Sequence, residues 1–137
     1  MKSDERIRSL AAVPLFADCS SRELEHIAGL VDVVDLRAGR VLMREGRNGH
    51  ECFVLAEGEA VVTMNGHRIA KLGPGEIVGE MAVALQEPRV ATVTARTDVR
   101  AYVMTAVAFA SILDHCPTVA HKVLATVAHR LREYQAA

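Results

Sequence analysis

Eight of the chain's nine glycines fall between positions 39 and 79, and that spacing dominates what the sequence can fold into. A helix of ordinary length runs about 11–12 residues, and each interior glycine costs it about 1 kcal/mol relative to alanine. Glycines this dense therefore divide the middle of the chain into segments too short for helices and suited to strands joined by tight turns. The intervening runs are rich in Val, Leu, Ile and Thr: 31–36, 41–44, 52–56, 60–64, 68–72, 91–95 and 99–104. Turns fall at Ala38-Gly39, at Gly46-Arg47-Asn48-Gly49, at Glu57-Gly58, at Asn65-Gly66 and at Gly73-Pro74-Gly75. Asn65-Gly66 between two such runs is a two-residue hairpin signal, because both positions accept the positive φ that the turn demands. Closely spaced strands with no long helix between them imply an antiparallel sandwich or roll.

On either side the periodicity is helical. Ile7, Leu10 and Ala11, then Leu24, Ile27, Ala28 and Val31, recur at helical spacing, with Pro14 dividing the two segments and Ser20 or Ser21 placed to cap the second. After Thr105, Val107, Ala110, Ile112 and Leu113 restore the helical period, and Pro117 suits the first turn of a last helix running towards Tyr134. In that helix Ala120, Leu124, Val127, Leu131 and Tyr134 form one apolar stripe, which either packs on the chain's own roll or makes a short homodimer contact. The expected class is α+β, a single domain over 1–137: N-terminal helices at 1–30, a β-roll at 31–104 and C-terminal helices at 105–137. A length of 137 residues has room for one core and buries about two-thirds of its unfolded surface.

Charge and composition narrow the function classes. Sixteen Lys and Arg against 17 Asp and Glu give a net charge of −1, unlike a strongly basic nucleic-acid binder. Aromatics make up 4% with no Trp, so base-stacking platforms are absent too. Cys19, Cys52 and Cys116 are widely separated and form no Cys-x-x-Cys pair, which leaves them as small buried hydrophobes. The N-terminus lacks an apolar signal core, and the run from 101 to 113 is shorter than the roughly 20 residues a bilayer needs, so a cytoplasmic chain with no membrane span is expected.

One stretch breaks the strand pattern: 79–92, reading Gly-Glu-Met-Ala-Val-Ala-Leu-Gln-Glu-Pro-Arg-Val-Ala-Thr. It is expected to begin as a glycine-initiated single helical turn and to re-enter a strand at Ala91. Such a turn points the N–H groups of Met81 and Ala82 at one place, which suits an anion. Arg89, held by the preceding Pro88, can offer a bidentate guanidinium to the same anion. Glu80 would repel a phosphate unless its carboxylate meets a donor such as a sugar hydroxyl. Together Gly79, Glu80 and Arg89 describe a ligand with one phosphate and a free ribose hydroxyl. There is no Gly-Lys-Ser/Thr, so this is not a nucleoside-triphosphatase loop.

These residues resemble the phosphate-binding cassette of the cyclic nucleotide-binding domain family, which runs Gly-Glu-hydrophobic-Ala and later Pro-Arg-x-Ala-Thr, with nine positions from Glu80 to Arg89. The framework is similar as well, in Val13-Pro14-Leu15-Phe16, Arg44-Glu45-Gly46, Phe53-Val54-Leu55 before Gly58, and Leu72-Gly73-Pro74-Gly75-Glu76. The resemblance implies a β-roll sensor like those of catabolite activators and kinase regulatory subunits. Glu80 would accept from the ribose 2′-hydroxyl and Arg89 would pair with the cyclic phosphate. Gly79, Met81, Ala82 and Ala91 would supply backbone groups, with Val90 and Thr92 beside them. In the family a hydroxyl directly after the phosphate arginine favours cyclic GMP; Val90 stands there, so cyclic AMP is the expected ligand and cyclic GMP the lesser one. The last helix would close over the base, with Arg130 and Tyr134 as lid residues. Where family members often carry Asp near Gly46 and Gly49, this chain has Arg47, His50 and Glu51.

The reading is of a non-enzymatic regulatory domain with no cofactor, signalling to an effector protein, a channel or an enzyme domain, in cis or in trans. A metal-dependent barrel enzyme would need a clustered triad, and the six histidines include no His-x-His pair. A DNA reader would need a further basic helix, which the sequence after position 117 does not supply, so no nucleic-acid partner is expected. The remaining alternative is a β-roll scaffold or interaction module that no longer responds to nucleotide.

Overall fold

The computed structural model describes residues 3–136, which fall into two compact units, a β-roll over Asp32–Ala106 and a helical unit formed by the residues before and after it. In the roll, eight strands form two four-stranded antiparallel sheets. They are β1 (Asp32–Leu36), β2 (Val41–Met43), β3 (Glu51–Glu57), β4 (Ala60–Met64), β5 (His67–Leu72), β6 (Ile77–Val78), β7 (Thr92–Ala95) and β8 (Val99–Thr105). One sheet has the order β1-β8-β3-β6 and the other β2-β7-β4-β5. The expected antiparallel α+β roll is what forms. Seven of the strands lie within a residue or so of the runs seen in the sequence. The eighth, β6, is two residues long and carries no periodicity that could announce it.

The Asn65-Gly66 hairpin joins β4 to β5 with Met64 opposite His67, and the two turn residues take φ of 52° and 80°. Side chains from both sheets meet in one core: Phe53 and Leu55 from β3, Val62 from β4, Val93 from β7, and Val99, Ala101 and Val103 from β8. Along β3 and β8 the alternate residues Cys52, Val54, Tyr102 and Met104 are buried as well. Burial on both faces explains why these two strands read as continuous apolar runs rather than alternating ones.

In the helical unit, α1 (Ser3–Ala11) is followed by a 3-10 turn at Pro14–Phe16 and by α2 (Ser21–Ala28). Ser20 is the cap: its hydroxyl accepts from the Glu23 N–H at 3.1 Å, and the Glu23 carboxylate accepts from the Ser20 N–H at 2.8 Å. Arg6 donates to the carbonyls of Ala28 and Val31 at 3.3 and 3.1 Å, satisfying acceptors just beyond the end of α2. Lys122 ties the last helix to the 3-10 turn, donating to the Pro14 carbonyl at 2.7 Å and pairing with Asp18 at 2.9 Å.

The C-terminal pair is α4 (Ala106–His115) and α5 (Pro117–Ala136), both helical as the periodicity implied. In α4 the buried residues are Ala108, Phe109 and Ile112, whereas Val107 is 81% exposed. In α5 burial runs through Val119 and Val123, while Leu124 and Leu131 are 65% and 44% exposed. The packing face therefore lies one position from the stripe that the sequence pattern favoured. A 3.6-residue period admits both faces where Ala, Val and Leu crowd the helix, and only tertiary contacts select between them.

Candidate functional site

The stretch 79–92 leaves the roll after β6 as α3 (Glu80–Leu85) and returns through Pro88 into β7. Gly79 is the N-cap of α3 with φ of 90°, a left-handed conformation open to glycine. A second reason requires glycine there. A Cβ at position 79 would lie 2.7 Å from the Arg89 guanidinium and 3.1 Å from the Glu51 carbonyl oxygen. The turn therefore lets the backbone pass close against an arginine while starting a helix whose first N–H groups have no partner within it. The α3 helix ends at Gln86, also left-handed with φ of 56°, whose N–H returns to the Ala82 carbonyl.

Two charged side chains of this stretch are the only buried ones among the described residues: Glu80, 1% exposed, and Arg89, 7% exposed. Arg89 donates through Nη1 to the Gly79 carbonyl at 3.2 Å and through Nη2 to the Glu51 carbonyl at 2.6 Å. These bonds use two of its five donors and fix the plane of the guanidinium. Burial lowers the Arg89 pKa, and the neighbouring Cys52, Glu51 and Glu80 act in the opposite sense. Burial also pushes the Cys52 thiol up to about 12, with the Glu80 charge adding to the effect. Cys52 is thus an inert core thiol, and Glu80, Arg89 and Cys52 share one low-dielectric neighbourhood.

The backbone around Arg89 is clamped on both sides. Its N–H donates to the Arg47 carbonyl and its own carbonyl accepts from the Gly46 N–H, both at 2.8 Å, and Asn48 and Pro88 form an isolated bridge. The loop between β2 and β3 is thereby held against the cassette, which places Gly49 beside the Arg89 side chain. A Cβ on Gly49 would sit 2.0 Å from Nε and 2.1 Å from Cζ.

Of the residues singled out in the sequence, the fold brings Gly79, Glu80, Met81, Ala82, Arg89, Val90, Ala91 and Thr92 into this one excursion between β6 and β7. Met81, Ala82 and Ala91 are buried, while Val90 is 36% exposed. The Thr92 hydroxyl accepts from the Glu45 N–H at 3.0 Å, a bond that ties β7 to the loop after β2. Arg130 lies on α5, in the helical unit; so does Tyr134, whose side chain is outside the described residues. Sequence reasoning missed the parts played by Gly49 and by the Glu51 carbonyl. Gly49 reads as one more turn glycine, and a backbone carbonyl leaves no trace in residue identity.

Comparison with known proteins is consistent across sequence and structure. The sequence model of the cyclic nucleotide-binding domain matches residues 33–116. A cyclic nucleotide-gated potassium channel of Rhizobium etli is 35% identical over 121 residues, covering 88% of this chain and 34% of the channel. The chain thus spans about a third of the length of such curated relatives. Among solved structures, the catabolite activator protein of Thermus thermophilus superposes with a TM-score of 0.77 at 26% identity, over 90% of this chain and 60% of that one. The regulatory subunit of a cAMP-independent protein kinase A from Trypanosoma brucei gives 0.86 at 21% identity, over 98% and 48%, a likeness of fold. No helix among the described residues is long and apolar enough to cross a membrane.

Proposed function

The chain belongs to the cyclic nucleotide-binding domain family, and from that premise we propose that it is a sensor of cyclic AMP, which it binds without transforming it. The observation that carries this reading is the pair of buried charges in one glycine-started turn: Arg89 oriented by the Gly79 and Glu51 carbonyls, with Glu80 at the first helical position beside it. A buried guanidinium whose hydrogen bonds go to neutral carbonyls gains most from an anion of single charge. The cyclic phosphate meets Arg89 and the N–H groups of Met81 and Ala82. Glu80 accepts from the ribose 2′-hydroxyl, which turns a buried carboxylate next to a phosphate from a liability into a contact specific for the sugar. Gly79 and Ala91 contribute backbone groups. Val90 offers no hydroxyl to a guanine, so cyclic AMP is preferred to cyclic GMP.

Binding is coupled to output through a two-state position of α5, with Arg130 and Tyr134 reaching the base in the closed state. A ligand that contacts α5 only when closed shifts the population by its differential affinity and by no more than that. The partner is an effector protein or a channel or enzyme domain, in cis or in trans. The exposed Leu124 and Leu131 give α5 an apolar face on which a second copy can pack.

Calorimetric titration of protein stripped of ligand by unfolding and refolding tests the binding step. Cyclic AMP is expected to bind at micromolar concentration or tighter, cyclic GMP more weakly, and Arg89→Ala to bind neither. A Val90→Thr variant is expected to shift the preference towards cyclic GMP. If neither nucleotide binds the refolded wild-type protein, the roll is a scaffold and the sensor reading is wrong.

A further inference from the structure

We propose that the groove alongside β2 is a second anion site, separate from the cassette, which takes a small polyphosphate. The groove has a volume of about 460 Å³ and is lined by Arg40, Arg44, Arg47 and Asn48, with Arg89 at its edge. That volume lies in the range of small-molecule sites, about 300–1,000 Å³, whose linings are usually apolar. Here three exposed arginines, Arg40, Arg44 and Arg47, line the groove beside the buried Arg89, and no carboxylate does.

Overall charge does not account for this. The whole chain is balanced, with 16 basic against 17 acidic residues, yet the segment from 37 to 50 holds four arginines and a single carboxylate, Glu45. Glu45 is outside the groove lining and accepts from the Asn65 N–H at 3.0 Å. Three exposed cations outside the groove have carboxylate partners: Lys71 pairs with Glu59 at 2.8 Å, Arg100 with Asp35 at 2.8 Å and Lys122 with Asp18 at 2.9 Å. Among the described residues Arg40, Arg44 and Arg47 form no ion pair. Like charges gathered in a concave site with no counter-charge raise the local potential and draw an anion.

The residue type narrows the ligand. A guanidinium is a planar fork matched to phosphate oxygens, and three of them suit several linked phosphates better than one charge. The exposed cations of the groove, Arg40, Arg44 and Arg47, all lie outside the 79–92 stretch that holds Arg89. The proposal therefore stands apart from the nucleotide reading and does not depend on it.

Sodium tripolyphosphate is the probe, titrated into the full chain by calorimetry at low ionic strength. The paired substitution Arg44→Ala/Arg47→Ala removes exposed side chains and is expected to weaken binding by about tenfold or more while the thermal melt is unchanged. Arg68→Ala, which removes an exposed arginine on β5 outside the groove, is the control and is expected to leave the tripolyphosphate affinity unchanged. Three results overturn the site: no binding to the wild type, affinity kept in the double variant, or hexaglutamate binding as tightly as tripolyphosphate. The last would make the groove a general basic surface for acidic chains.

Discussion

Replacing Gly49 by alanine tests the geometry of the cassette without touching a residue of the cassette itself. Gly49 does not have a positive φ, so its backbone accommodates alanine, and the whole effect of the added methyl must come from contact. That contact is severe: Cβ would lie 2.0 Å from Nε, 2.1 Å from Cζ and 2.7 Å from Cδ of Arg89. The side chain must move, and in moving it gives up its bonds to Glu51 and Gly79 at 2.6 and 3.2 Å. Hydrogen bonds to charged groups contribute about 1.5–3 kcal/mol each, and partial recovery in water leaves an expected stability loss of about 1–3 kcal/mol. The consequence for binding is larger. A displaced guanidinium leaves the cyclic phosphate unpaired, which costs on the order of 2–4 kcal/mol, or about 30- to 1,000-fold in Kd. Calorimetry with cyclic AMP measures the second effect and urea unfolding the first. Gly73→Ala is the control, since a Cβ there meets nothing within 4 Å and the φ is not positive; it is expected to change stability by less than about 0.5 kcal/mol. If Gly49→Ala binds cyclic AMP within about threefold of wild type, Arg89 is not held in the geometry that underlies the ligand reading.

Other substitutions probe the frame around the site. Ser20→Ala removes the hydroxyl of the α2 capping box and is expected to cost about 1 kcal/mol in urea unfolding, whereas Ser20→Gly costs a few tenths. Gly58→Ala is expected to be far more damaging than Gly66→Ala, although both positions have positive φ, 89° and 80°. At 58 a Cβ would lie 2.1 Å from the Asp98 carbonyl oxygen, which is backbone and cannot swing away, while at 66 it meets nothing. Thermal melts should show a fall of about 1 kcal/mol for Gly66→Ala and more than about 3 kcal/mol for Gly58→Ala. The Cys52 thiol, protonated in the fold up to about pH 12, ionises near the ordinary thiol value of 9.0 when unfolded. The unfolded state thus holds fewer protons above pH 9, so stability is complete below that pH and falls as pH rises towards 12. Cys52→Ala should flatten the alkaline slope by up to about 1.4 kcal/mol per pH unit, which urea unfolding at pH 8 and pH 10 would measure.

How much of this was legible in the sequence differs from element to element. The strand runs were readable because glycines at 39, 46, 58, 66 and 75 adopt left-handed φ in the turns, a local demand that residue identity reports directly. The Ser20 cap and the Asn65-Gly66 hairpin were legible for the same reason: each is a bond or a torsion within a few residues of its own side chain. The cassette was legible because Gly79, Glu80 and Arg89 sit nine or ten positions apart in one excursion, with the chemistry of an anion site written in their types. The strand β6 was not, being two residues long, and neither was the buried face of α5, where neighbouring apolar residues satisfy two helical faces equally.

The sequence by itself therefore determined the antiparallel roll, the turns that punctuate it and the residue types available to an anion with a sugar attached. Tertiary structure alone decided that Arg89 leans on the carbonyls of Glu51 and Gly79, that Gly49 must lack a side chain to make room for it, and that Arg40, Arg44 and Arg47 converge on one groove. The division has a physical cause. Torsions, caps and hairpins are set by neighbours along the chain, so one sequence states them. Close approach, burial and the convergence of charges are set by segments distant in sequence, and they exist only once the two sheets have closed on their shared core.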